Sequence, residues 1–292
     1  AITNVTTVNQ NFYFFATNNF ELSGPMTLSN AVIITSLGDS SVKLSGIIAG
    51  PGSLTKDGTN SLTLTGANTY EGSTTVSAGK LLVNNTSGSG TGTNSVTVLA
   101  GATLGGTGTI AGNVDVGGTL SPGASPGKLT ITGNLNLSGS SLFELNRALS
   151  PSNDLVVVSG TLSAGGTLTV TNSGTNILVA GDSFTLFSQP ASGFTTVNLP
   201  VGYTWNDQLA ASGKITVVAT TWPTTPTNVS ASASGGSLTI SWPANYAGGW
   251  VLETSPNLTN WTTVPGSRDV SSISFNIGPA PAAFYRLRLL TQ

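Results

Sequence analysis

Residues 52–84 read Gly-Ser-Leu-Thr-Lys-Asp-Gly-Thr-Asn-Ser-Leu-Thr-Leu-Thr-Gly-Ala-Asn-Thr-Tyr-Glu-Gly-Ser-Thr-Thr-Val-Ser-Ala-Gly-Lys-Leu-Leu-Val-Asn. Three short segments, 61–65, 73–77 and 80–84, lie between glycines at 58, 66, 72 and 79. Within them Leu62, Leu64, Val76 and Val83 fall on one side while Ser and Thr fall on the other. That period of two is the signature of a strand, and no helical spacing competes with it. The connections are too short for crossover helices. They also lack the two-residue Asn-Gly turns that favour tight antiparallel hairpins. A chain that makes short strands and bends at Gly or Asn each time coils into a parallel β-helix, a solenoid in which each rung covers the last. The expected fold class is all-β, a parallel β-helix followed by a small β-sandwich.

Working outward, residues 1–24 carry the densest aromatic run, with Phe12, Tyr13, Phe14, Phe15 and Phe20. An end rung exposes backbone and apolar interior that must be covered. These five residues are therefore the candidate assembly set, either as the chain's own cap or as a strand donated to a neighbour. Residues 25–219 continue as rungs, interrupted by a Ser/Gly loop at 87–92 and by two Pro-Gly turns in series, Pro122-Gly123 and Pro126-Gly127. From residue 141 the inward side chains grow larger, and Phe194, Tyr203 and Trp205 are expected to seal that end. Residues 220–226, Thr-Thr-Trp-Pro-Thr-Thr-Pro, read as a stiff linker. Residues 227–292 then show five strand patterns spaced as in an all-β domain, at 238–242, 250–254, 261–264, 272–277 and 284–290.

Two resemblances follow from these residues. Gly52-Ser53-Leu54-Thr55-Lys56, Leu62-Thr63-Leu64-Thr65-Gly66-Ala67-Asn68-Thr69-Tyr70, Gly72, Thr74-Thr75-Val76 and Ala78-Gly79-Lys80-Leu81 resemble the autotransporter-associated β-strand repeat, also called the passenger-associated transport repeat, of secreted bacterial surface proteins. The resemblance implies a right-handed β-helical stalk outside the cell and carries no catalytic residues with it. Autotransporters end in a membrane barrel of many alternating strands. This chain has no room for one, which implies another export route or one piece of a larger system. Residues 227–292 are similar to a fibronectin type III or immunoglobulin-like module, with Trp242 and Tyr285 as its core aromatics and one strand short of the usual length.

Composition bounds the function. Of 292 residues only 7% are charged, against about 25% in ordinary soluble proteins. The polar surface is thus built of Ser, Thr, Asn and Gly and repels copies of itself weakly. A net charge of −2 leaves no basic patch for nucleic acid. No stretch is apolar enough for a transmembrane segment. Absence of His removes the commonest general base and metal ligand, and absence of Cys removes thiolate chemistry. The eleven acids are scattered, and the Gly105-Gly106-Thr107-Gly108 run lacks the helix that would make it a phosphate loop. The expectation is no catalytic site, no cofactor and no metal, hence not an enzyme.

A chain starting at Ala1 reads as secreted after signal-peptide removal, at a bacterial cell surface. The first functional expectation is the head-to-tail subunit of a surface filament, a homopolymer whose partner is itself. The alternative is a monomeric adhesin that binds glycans, or other surface proteins, through Tyr246 and Trp250 beside Ala247-Gly248-Gly249. Trp242 and Trp261 sit in strand patterns and read as core.

Overall fold

The computed structural model describes residues 6–16, 18–38, 41–174, 176–223, 225–276 and 283–290. Residues 1–5 of the expected N-terminal segment, Asp39 among the acids and residue 277 of an expected strand lie outside the described residues. The chain divides into two compact units. One comprises Ala1–Ser173, Phe184–Leu199 and Asp207–Ile215, and the other comprises Gly174–Ser183, Pro200–Asn206 and Thr216–Gln292.

The first unit is the expected β-helix. Thr6–Val8, Phe12–Ala16 and Phe20–Leu22 form its first turn, one strand on each of three faces. Each strand pairs in parallel with its counterpart one turn later, for example Thr6↔Met26, Phe12↔Ile34 and Phe20↔Val42. Two long sheets result, one of eight strands from Phe12–Ala16 to Leu162–Ser163 and one of nine from Phe20–Leu22 to Thr196–Asn198. Within the opening stretch the strands are Ser61–Leu64, Thr74–Val76 and Lys80–Val83, shorter by a residue or two than the alternation alone suggests.

Period-two alternation and parallel register together stack like residues in columns. On the nine-stranded sheet Val42, Leu62, Leu81, Leu104 and Leu120 follow one another inward and all are buried. On the eight-stranded sheet one column runs Val32, Leu54, Thr74, Val96, Val114, Leu135. The next runs Ile34, Lys56, Val76, Val98, Val116, Leu137. Each buried aliphatic contributes about 1.5–3 kcal/mol. The outward partners include Thr55, Thr63, Thr75, Thr97 and Ser121, with Lys43 and Asp115 as the charged members of these rows. At the corners, backbone passes so close to backbone that only Gly fits. A Cβ on Gly52 would lie 1.9 Å from the Asn30 carbonyl oxygen, and one on Gly139 would lie 2.0 Å from that of Gly118.

The second unit contains two three-stranded antiparallel sheets. In the first, Ser237–Ser241 lies between Ser230–Ser234 and Ser272–Asn276. In the second, Trp250–Ser255 lies between Thr262–Thr263 and Phe284–Leu289. Both contribute to one core of Ile240, Trp242, Tyr246, Trp250, Leu252 and Val264. Of the expected linker 220–226, residue 224 lies outside the described residues, and Trp222 packs within this unit. Trp222 is buried, its ring 4.5 Å from Tyr203 in a T-shaped contact. Gly202 and Gly249 make room for it, since a Cβ on either would strike the indole.

Candidate functional site

The first turn of the coil carries the five aromatic residues singled out by sequence, and alternation splits them. Phe12, Phe14 and Phe20 face inward as a half-buried cluster, with ring centroids 5.3 Å apart for Phe12–Phe14 and 5.1 Å for Phe14–Phe20. Tyr13 and Phe15 face outward, 72% and 80% exposed. The inward rings, with Val8, Leu22 and Met26, line a cavity of about 490 Å³. All three strands of this turn are the terminal strands of their sheets. The Thr6 N–H is donated to the Pro25 carbonyl oxygen, 2.9 Å, and the Phe20 N–H to that of Ser41, 3.0 Å. Because backbone groups alternate along a strand, the peptide groups of Thr7 and Glu21 point away from the coil. Charge is sparse here. Glu21 accepts from the Ser45 hydroxyl at 2.6 Å and pairs with Lys43 at 3.2 Å. The Ser45 hydrogen bond and then Lys43 hold its carboxyl below the usual range.

The second cluster is the opening motif itself, where polar side chains replace aliphatic ones inside the coil. Lys56 stands between Ile34 and Val76 in its column and is fully buried. Its Nζ donates to the carbonyl oxygens of Asp57 at 2.8 Å, Gly58 at 2.7 Å and Ala78 at 3.1 Å. Burial pushes its ammonium down to about 8, with Asp57 opposing. Thr74 stands between Leu54 and Val96, shares a 2.5 Å hydrogen bond with the buried Tyr70 hydroxyl, and donates to the Thr91 carbonyl oxygen at 3.2 Å. Burial raises the Tyr70 phenol strongly, so it stays a neutral hydrogen-bonding group.

Asn68 binds two turns at once. Its Oδ1 accepts the Ile48 N–H at 2.8 Å and its Nδ2 donates to the Gly90 carbonyl oxygen at 2.7 Å. The sequence marked these positions as a motif, but not that they lie inside. Nothing in a period-two pattern separates an inward Lys or Thr from a register break.

A third buried polar group closes the Pro-Gly turns. Asp154, 1% exposed, accepts the Gly127 N–H on Oδ1 at 2.8 Å and the Glu144 N–H on Oδ2 at 2.9 Å. Burial pushes its carboxyl up to about 6, against those two hydrogen bonds. Gly123, at φ +87, allows the approach, for a Cβ there would lie 2.1 Å from Asp154 Oδ1. Among the described residues no group of three or more His, Cys, Asp or Glu converges as a metal site would require. No helix among them is long and apolar enough to cross a membrane.

The remaining sequence candidates fall as follows. Phe194 stays in the first unit, 5.8 Å from Phe187, which is 5.0 Å from Phe143. Tyr203 and Trp205 belong to the second unit. Tyr246 and Trp250 are 7% and 3% exposed, in that unit's core. The Tyr246 hydroxyl donates to the Thr225 carbonyl oxygen at 2.9 Å and the Trp250 Nε1 to that of Pro223 at 2.8 Å. Trp242 is buried, whereas Trp261 is half-buried with the Arg286 guanidinium 4.1 Å above its ring. The buried Glu253 carboxylate accepts from Arg286 Nε at 2.8 Å and Arg288 Nε at 2.6 Å. Burial works to raise its pKa, but Arg288 and then Arg286 outweigh it and hold the carboxyl low.

Comparison with known proteins agrees with the fold. Residues 54–83 match the passenger-associated-transport-repeat family. They coincide with the stretch that holds Lys56, Asn68, Tyr70 and Thr74. A relative, "Adhesin BmaC autotransporter" of Brucella suis biovar 1 (strain 1330), is 36% identical over 174 residues. The alignment covers 56% of this chain and 5% of that protein, so the chain spans a small fraction of its relative's length. The chain carries an autotransporter-associated repeat.

Proposed function

We propose that the chain is a non-catalytic passenger segment of a bacterial surface adhesin, working outside the cell as a mechanical support. The observation that carries this reading is the use of the motif's chemistry. The buried Lys56, Asn68 and Thr74 each bond to backbone one turn away, at Ala78, at Ile48 and Gly90, and at Thr91, and the buried Tyr70 bonds to Thr74, so the groups that could act on a substrate are consumed in holding the coil together. The likeness to an autotransporter adhesin supports the surface location and the adhesive role. The test is retention of beads coated with the purified chain on cultured cell layers and on a glycan array. Retention above that of uncoated beads is expected. Absence of retention on every surface overturns the adhesive role, and release of new reducing ends from a polysaccharide panel overturns the non-catalytic one.

A second reading, the head-to-tail repeating subunit of a surface filament, is favoured by one specific observation. The first turn leaves three terminal strands and an apolar cavity at the same end of the coil.

A further inference from the structure

We infer that the first turn of the coil is an acceptor for the last turn of a second copy of this chain, and that the two join by continuing the nine-stranded sheet in parallel. This rests on the filament reading and specifies its contact. Three observations lead to it. The eight-stranded sheet has terminal strands Phe12–Ala16 at one end and Leu162–Ser163 at the other, and the nine-stranded sheet has Phe20–Leu22 and Thr196–Asn198. Every pairing in these two sheets is parallel, so each sheet's last strand has the polarity its own first strand needs. In the nine-stranded sheet each turn-to-turn contact is already this interface, whereas Leu162–Ser163 lies one turn before Thr196–Asn198 and is followed by the chain's own next turn, where Gln189 Nε2 donates to the Gly160 carbonyl oxygen.

The exposed groups agree with such an occupant. The Thr196 N–H reaches back to the Gly166 carbonyl oxygen, so the neighbouring Val197 peptide points away from the coil, as that of Glu21 does at the other end. Parallel continuation sets these two peptides against each other. The acceptor end offers hydrogen-bonding edges, the inward rings Phe12, Phe14 and Phe20, and the already paired Glu21 and Lys43 as charges. Natural sheet edges are usually protected by charge, Pro or a bulge. Here Tyr13 and Phe15 stand exposed on the edge strand instead. The contact joins different surfaces of two copies, so it propagates rather than closes.

The experiment uses sedimentation velocity of the 292-residue chain across a concentration series, with three variants. Val197→Pro removes the free donor at the last turn. Glu21→Pro removes the one at the first turn. Neither N–H serves a bond within the coil. A third variant, Tyr13→Lys with Phe15→Lys, protects the acceptor edge without altering backbone donors and serves if a proline variant loses the parent's circular dichroism. The parent is expected to grow with concentration beyond dimer, and each folded variant is expected to stay monomeric. An equimolar mixture of Val197→Pro and Glu21→Pro is expected to stop at dimer, because one competent end remains on each. Growth of Val197→Pro equal to the parent's overturns this contact and leaves the filament reading standing. A parent that stays monomeric, or stops at dimer, overturns both. Neither result touches the adhesin reading.

Discussion

Replacing Asn68 by Ala tests whether the buried motif side chains hold the coil together. The substitution removes two hydrogen bonds, from the Ile48 N–H and to the Gly90 carbonyl oxygen. Asn68 is 2% exposed and Ile48 1%, so water does not replace them. Each buried group left without a partner costs roughly 1–3 kcal/mol, giving about 2–6 kcal/mol for the two. The matched control is Asn113→Ala. Asn113 also accepts a backbone N–H from the next turn, that of Asn134 at 2.9 Å, but it is exposed. Water can serve there, and the expected cost is below about 0.5 kcal/mol.

Urea unfolding followed by far-ultraviolet circular dichroism reads the difference. With a slope of roughly 2–3 kcal/mol per molar, the Asn68→Ala midpoint falls by about 0.7–3 M. All five tryptophans, at 205, 222, 242, 250 and 261, lie in the second unit, so their emission is a separate probe of it. Asn68→Asp adds a second arm. It keeps an acceptor for Ile48 but sets a carboxylate against the Gly90 oxygen, so it is expected to cost more than Ala at pH 7 and to recover partly in acid. A parent-like midpoint for Asn68→Ala, or equal shifts for Asn68→Ala and Asn113→Ala, would refute the reasoning.

The two units are expected to respond to acid in opposite directions. Burial raises Asp154 to about 6, above an unfolded value of about 3.9. Its contribution to stability is therefore full below pH ~4 and lost as pH rises through ~6, a swing of up to roughly 3 kcal/mol that Asp154→Asn should flatten in dichroism melts. Glu253 is held low by Arg288 and Arg286 against its burial. Its contribution is present above pH ~4.3 and lost as pH falls below that, so tryptophan emission should report an acid-labile second unit. Glu253→Gln should remove that lability and cost about 1–2 kcal/mol at pH 7, the two arginines being partly exposed. Gly92→Ala should lower stability by at least about 2 kcal/mol, since Gly92 sits at φ +69 with its Cβ position 2.3 Å from the Tyr70 carbonyl oxygen.

Much of the coil was legible because its physics is local. Leu62, Leu64, Val76 and Val83 alternate with hydroxyl residues and become inward columns, with glycine at the corners. Strand Ser230–Ser234 was not foreseen: Ser-Ala-Ser-Ala-Ser has no bulky side chain to mark a buried face, and all five residues are exposed. The inward Lys56 and Thr74 were recognised as motif residues and not as interior ones. Their place depends in part on carbonyls supplied by other turns, Ala78 for Lys56 and Thr91 for Thr74, beside the local partners Asp57, Gly58 and Tyr70. Asp154 was visible only as an isolated acid, because its partners come from elsewhere in the chain, Gly127 from the Pro-Gly turns and Glu144 from strand Ser140–Leu145.

Lys56 has a further consequence for how the chain finds its winding. Columns of Leu and Val are nearly interchangeable from turn to turn, so a coil built only of them could settle one whole turn out of step at small cost. Lys56 takes two carbonyls from its own corner, Asp57 and Gly58, and a third, Ala78, from the following turn, so a misthreaded state that moves Ala78 away leaves the buried ammonium one acceptor short. It works as an index mark, fixing which turn is which.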